Sequence, residues 1–233
     1  MERARHLIDG RAHFKTQVAG PTDRAARDPR PERKMNQQTV ATRIGLENNM
    51  SEDPASHPID PGVRIGHIHL KVSDLERSLA FYHGVLGFEL TQRMGSQAAF
   101  LSAGGYHHHI ALNTWESAGG SPPPSGTTGL YHLAILYPTR AALADALRRL
   151  IAANIQLDGA SDHGVSEALY LRDPDDNGVE LYWDRPKELW PRAADGSLAM
   201  YSRRLDLDGL LRELPEEART EPVFRSREAS GDR

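Results

Sequence analysis

One pattern dominates what this chain can fold into: the same order of elements is spelled twice. "IGHIHLKV" reads as a strand and "SDLERSLAFYHGVLGF" as a helix, with Ser73 or Asp74 as its cap. Leu75, Leu79 and Tyr82 or His83 recur at helical spacing, and Gly87 ends the run. Three strand candidates follow: "FELTQR", "AAFLSA" and "YHHHIALNT", the last two joined by a Gly104-Gly105 turn. After a Gly-, Ser- and Pro-rich linker, "ESAGGSPPPSGTTG", the order returns. "LYHLAILY" is a strand, and "TRAALADALRRLIAAN" is a helix capped by Thr139. "IQLDGA", "ALYLRD" and "NGVELYW" are strands, with a "DPDDNG" turn before the last. Two strand-helix-strand-strand-strand units, around 65–115 and 129–184, imply two copies packed as one domain. The expected fold is α+β: two βαβββ modules forming one curved eight-stranded mixed sheet, a cup with the helices on its outer face.

The flanks read differently. Residues 1–60 are charged and proline-bearing without an apolar period, the pattern of a disordered or loosely attached extension. Met50 resembles a start, which would make residues 1–49 the product of an upstream start choice. The domain spans 61–186. Residues 187–233 form a tail with a short helix in "DLDGLLRELPEE" that covers the domain or meets a partner subunit.

Composition narrows the chemistry. The 233 residues are 39% hydrophobic and 26% charged, and include no cysteine. Disulfides, zinc-thiolate sites, iron–sulfur clusters and a cysteine nucleophile are excluded. No apolar run is long enough to span a bilayer and no hydrophobic signal opens the chain, so the expected location is cytoplasmic, with no membrane partner. A net charge of −4 gives no basic surface for nucleic acid.

Matched positions in the repeat point to a metal. His67 lies at the first strand of unit one and His132 at that of unit two. Glu180 stands in the last strand of unit two. Matching "HIALN" with "GVELY" puts Ala111 at the equivalent point of unit one. A mid-strand glutamate between Val179 and Leu181 needs a partner if buried. Two histidines and one carboxylate, with a methyl group at the fourth position, are the donor set of non-haem Fe(II) oxygenases.

The segments "GHIHLKVSDLERSLAFYHGVLGF", "GYHHHIALNTW", "TGLYHLAIL" and "DHGVSEALYLRDPDDNGVELYWDRP" resemble the vicinal oxygen chelate superfamily, and within it the type I extradiol, or catechol 2,3-, dioxygenases. The resemblance runs from about Ile65 to Asp184. It implies metal donors at His67, His132 and Glu180 and an open position at Ala111. It also implies a substrate-facing tyrosine at Tyr170, a further site histidine at His163 and an acid/base histidine at His108. Fe(II) is the implied metal, and Mn(II) accepts the same donors. The implied partners are a small catechol-like aromatic diol and O2. The diol is held at the metal through adjacent oxygens, a base takes a hydroxyl proton, and the ring opens. "DPDDN" stands where the family has "DPDGN", and Asp176 tolerates the left-handed backbone such a turn needs. Classical members carry a second, non-catalytic pair of units and this chain has one pair. One pair suffices to close a site within a chain; the tail leaves a homodimer open.

His107-His108-His109 poses its own question. Neighbours on a strand point to opposite faces, so alternation puts His107 and His109 on the Ala111 face. The resemblance favours His108, with His109 next, and a bulge would reconcile the two. His69 shares the face of His67. Two other functions compete. A glyoxalase-type lyase or epimerase needs a fourth donor where Ala111 sits. A metal-free small-molecule binding protein of the resistance type has usually lost the donors.

Overall fold

A computed structural model of the chain describes residues 58–220. The expected extension at 1–60 therefore lies, apart from its last three residues, outside the described residues, as does the end of the tail. From Gly66 onward the chain belongs to one compact unit.

The repeat is present. In unit one, β1 (Ile68–Lys71) is followed by α1 (Leu75–Leu79), β2 (Glu89–Met94), β3 (Ala98–Ser102) and β4 (Ile110–Asn113). In unit two, β5 (Leu133–Leu136) is followed by α2 (Arg140–Ala152), β6 (Leu157–Asp162), β7 (Ser166–Arg172) and β8 (Gly178–Asp184). The sheet orders match: β1-β4-β3-β2 and β5-β8-β7-β6, with a short β9 (Arg203–Arg204) added beside β6. β1 runs parallel to β4 and β5 to β8, while the other pairs are antiparallel. The first hairpin of each unit is bulged, between Leu90 and Gln92 in β2 and between Leu157 and Gly159 in β6. The strands form two open mixed sheets of four and five strands rather than one continuous ladder.

Local chemistry explains the helices. Asp74 caps α1 by accepting from the Arg77 N–H, and Thr139 caps α2 by accepting from the Ala142 N–H at 3.1 Å. Leu143, Ala144, Ala146, Leu147 and Leu150 line the buried face of α2 at helical spacing. The regular helix expected through Gly87 differs in its second half. Ala80–Val85 widens into a π-helical stretch in which the Leu86 N–H reaches the Phe81 carbonyl at 2.9 Å. Tyr82, in its middle, is fully buried and donates to Asp173 of the other repeat at 2.8 Å.

One apolar cluster, from Leu70, Leu79 and Leu112 through Leu147, Leu169 and Leu181, runs through both repeats and reaches Leu205 and Leu210 of the tail. Beyond β9 the tail adds α3 (Leu207–Leu211) and α4 (Glu216–Thr220). No helix among the described residues is long and apolar enough to cross a membrane.

The β7–β8 turn joins the repeats by polar contacts. Asp173 is buried and also accepts from the Asp175 and Asn177 N–H groups and the Asn177 amide. Asp173→Ala strands these donors and the buried Tyr82 hydroxyl. It is expected to lower the unfolding free energy by about 3 kcal/mol, against about 1 kcal/mol for Tyr82→Phe. Urea unfolding at neutral pH measures both, and equal small losses would show that the turn does not hold the repeats.

Candidate active site

Strand register places the matched positions of the two repeats at the same point. Ala111 faces His69 on β1 and Phe100 on β3. Glu180 faces Ala134 on β5 and Tyr170 on β7. His67 and His132 each sit two residues before that facing residue, immediately ahead of their strands. Glu180 and Tyr170 share one face of the sheet, while Val179, Leu181, Leu169 and Leu171 point into the core.

Around Glu180 the side chains form a hydrogen-bonded run. Its Oε2 lies 2.9 Å from His132 Nε2. Its Oε1 accepts the Tyr170 hydroxyl at 3.1 Å. The Tyr170 oxygen is 2.8 Å from His163 Nε2, and His163 Nδ1 is 3.2 Å from the Tyr201 carbonyl. Burial, and then the negative Glu180, pushes the Tyr170 phenol well above its ordinary range, so it remains a donor. His132 Nδ1 is buried with no hydrogen-bond partner.

The histidine run stands apart from this. It is not on a strand: β4 begins at Ile110, and residues 104–109 form a turn and bends, with only His109 of the run bonded through its backbone to Leu101 and Ile68, so strand alternation does not govern His107 and His108. His108 packs on His67, ring centres 4.4 Å apart, and on Phe100 at 5.1 Å. Desolvation and then His67, His107, His69 and His109 lower its pKa, keeping it the free base at neutral pH. His107 is exposed, with its Nδ1 2.8 Å from that of His108. His109 is tied to the hairpin: its Nδ1 accepts the Ala103 N–H and lies 3.1 Å from Ser102 Oγ. His69 Nε2 accepts from the Asn113 amide at 2.8 Å, and its ring lies 5.5 Å from that of Trp115.

The three expected metal donors therefore divide. His132 and Glu180 meet, and their 2.9 Å spacing suits neighbouring donors about 2.1 Å from one ion. His67 lies in the other cluster, against His108. Among the described residues no group of three or more His, Cys, Asp or Glu side chains is gathered closely enough to hold a metal ion. Two donors fit a divalent ion and the third is not assembled with them. A cavity of about 720 Å³ runs along β1, lined by His69, Lys71, Ser117, Pro123, Leu130 and Asn177, and its walls include neither His132 nor Glu180.

Two contacts escaped sequence reasoning. The Tyr201 carbonyl behind His163 is a main-chain group without a code. Gly178 carries a weak signal, a glycine opening a strand. A Cβ there would strike the Tyr131 carbonyl, so glycine lets the chain at His132 approach β8 beside Glu180.

Residues 64–181 match the Glyoxalase/Bleomycin resistance protein/Dioxygenase superfamily. The chain belongs to that superfamily. Among curated proteins it is similar to a catechol-2,3-dioxygenase of Bacillus subtilis, 44% identical over 70% of this chain and 56% of the relative. It is also similar to biphenyl-2,3-diol 1,2-dioxygenase 3 of Rhodococcus globerulus, 33% identical over 52% of this chain and 63% of the relative. The chain thus spans less than two thirds of these relatives. A solved glyoxalase/dioxygenase structure from Nostoc punctiforme aligns at 20% identity and TM-score 0.47, over 56% of this chain and 98% of that one.

Gly178→Ala is expected to force β5 off β8 at the His132–Glu180 contact and to destabilise the domain by about 2 kcal/mol. Urea unfolding reads the loss. Wild-type stability would mean the close approach is not needed.

Proposed function

We propose that this chain is an extradiol ring-cleaving dioxygenase that opens a catechol-like aromatic diol with O2, with Fe(II) as its metal and His67, His132 and Glu180 as donors. Mn(II) suits the same donors. The observation that supports this most is the run from His132 through Glu180 and Tyr170 to His163. It aligns a carboxylate, a phenol and an imidazole on one sheet face, as the resemblance implies. The similarity to dioxygenases named for catechol and biphenyl-2,3-diol points the same way.

A bound divalent ion would supply a common point where diol and O2 are held and polarised. The protein's own groups have separate tasks. Tyr170, kept protonated, accepts a hydrogen bond from a diol hydroxyl while its own hydrogen goes to His163 Nε2. His163 stands behind it as its proton partner. His108, the free base beside His67, takes a proton from the other hydroxyl. Ala111 presents only a methyl group where Glu180 stands in the other repeat, which leaves room for the substrate.

The reading requires the exposed His67 imidazole to leave His108 and turn toward His132 and Glu180. Their separation here is the one observation that favours the metal-free binding reading. Metal analysis and oxygen uptake decide. The full chain loaded anaerobically with Fe(II) is expected to consume one O2 per ring opened across a panel of substituted catechols. His108→Gln is expected to cut kcat by about 10²- to 10⁴-fold with metal content unchanged, and His67→Ala to reduce bound iron. Bound iron without oxygen uptake would overturn ring cleavage in favour of a lyase. Failure to bind iron leaves the binding module.

A further inference from the structure

Among the described residues the C-terminal segment meets His163 at Tyr201. Tyr201 donates its backbone N–H to the His163 carbonyl at 3.2 Å, and its own carbonyl lies 3.2 Å from His163 Nδ1. A carbonyl can only accept, so Nδ1 carries the hydrogen. A neutral imidazole has just one, which leaves a lone pair on Nε2, 2.8 Å from the Tyr170 oxygen. The Tyr170 hydroxyl thus has one hydrogen and two acceptors, His163 Nε2 and Glu180 Oε1.

Several contacts hold Tyr201 in place. β9 pairs with β6, Ser161 with Arg204 and Asp162 with Arg203, and the Leu205 N–H reaches the Ala160 carbonyl at 3.3 Å. The Arg203 guanidinium sits 4.3 Å over the Tyr201 ring. Beneath that ring lies Gly164, at φ +78, where a Cβ would come within 2.6 Å of the ring and 2.8 Å of Pro191.

We propose that Tyr201 is a positioning residue: its main chain locks His163 in the Nδ1–H tautomer, so that a lone pair and not a hydrogen faces Tyr170. With the other tautomer, Nε2–H would point at the phenol oxygen and commit the Tyr170 hydrogen to Glu180. The tail thereby decides whether Tyr170 has a base behind it. The consequence for catalysis rests on the ring-cleaving reading; the tautomer does not.

Long-range ¹⁵N–¹H correlation spectra of the metal-free, full-length protein, at a pH where the ring is neutral, read the tautomer directly. Wild type and Tyr201→Phe are expected to show His163 as Nδ1–H alone. Tyr201→Ala, which strips the ring that packs on Gly164, is expected to admit the Nε2–H form. An Nε2–H wild type, or a Tyr201→Ala variant unchanged from wild type, would overturn the proposal. If Tyr201→Ala does not fold, the wild-type spectrum and Arg203→Ala decide in the same way. In the Fe(II)-loaded enzyme Tyr201→Ala is expected to lower kcat by about 10- to 100-fold, with KM within about threefold. If wild type takes up no oxygen, ring cleavage fails while the tautomer result stands.

Discussion

Two buried carboxylates in the β7–β8 turn hold the repeats together, and the placement of the site follows from them. Asp175 Oδ1 accepts from the Ser73 N–H and hydroxyl and from Arg77 Nη2, at 3.1, 2.6 and 2.6 Å. Asp173 accepts from Tyr82. Both turn residues belong to unit two, and all these donors lie at the start of α1 or in its π-helical end. No ladder joins the two sheets among the described residues, so side chains and the shared apolar cluster do the joining. A buried carboxylate without its donors is costly, which makes this arrangement selective for one docking. Tyr170 and Glu180 lie on the two strands that the turn connects, so their position against unit one is set there.

Much of this is legible in the sequence. The repeat, both helix caps and the left-handed Asp176, at φ 65, follow from short-range chemistry that residue types encode. The match of Ala111 with Glu180 follows from period-two strands, where register and face are one property. The histidine run was harder. Strand alternation describes paired backbone, and His107 and His108 precede it while His109 is bonded to Leu101 and Ile68; only the contacts reveal that His108 lies on His67 while the His109 ring is fastened to Ser102 and Ala103. The π-helical stretch around Tyr82 answers a long-range bond to Asp173 that no local window contains. The sequence leaves the tail to cover the domain or to meet a partner subunit. Its contact with His163 runs through main-chain atoms, which residue identity does not reveal.

The repeats diverge at the point where they coincide. At matched positions unit one offers Ala111 and Phe100, and unit two Glu180 and Tyr170. The half with the carboxylate can hold positive charge. The half with the methyl group carries the histidine pair His67 and His108 beside Phe100. A glutamate at position 111 would put a carboxylate at a fully buried point of unit one.

β7 links this face to the tail through its other face. Tyr170 points to the site. Glu167, which faces the opposite way, is buried and bridged by Arg140 Nε and Arg185 Nη2, each at 2.7 Å. Arg140 also reaches Glu213 and the Gly209 carbonyl, and Arg185 reaches Asp162. Asp162 neutralises the excess charge of the two guanidiniums over Glu167, and Glu213 of the tail satisfies a further Arg140 N–H donor. Without the docked tail, Arg140 would lose its contacts to Glu213 and Gly209 at the edge of the core, a configuration that low-dielectric surroundings penalise. Docking of the tail is thus favoured by the acceptors it gives Arg140 on one face of β7. The same docking brings Tyr201 against His163 and, through it, Tyr170 on the other face. The strand converts an electrostatic requirement on its core side into a fixed geometry on its chemical side.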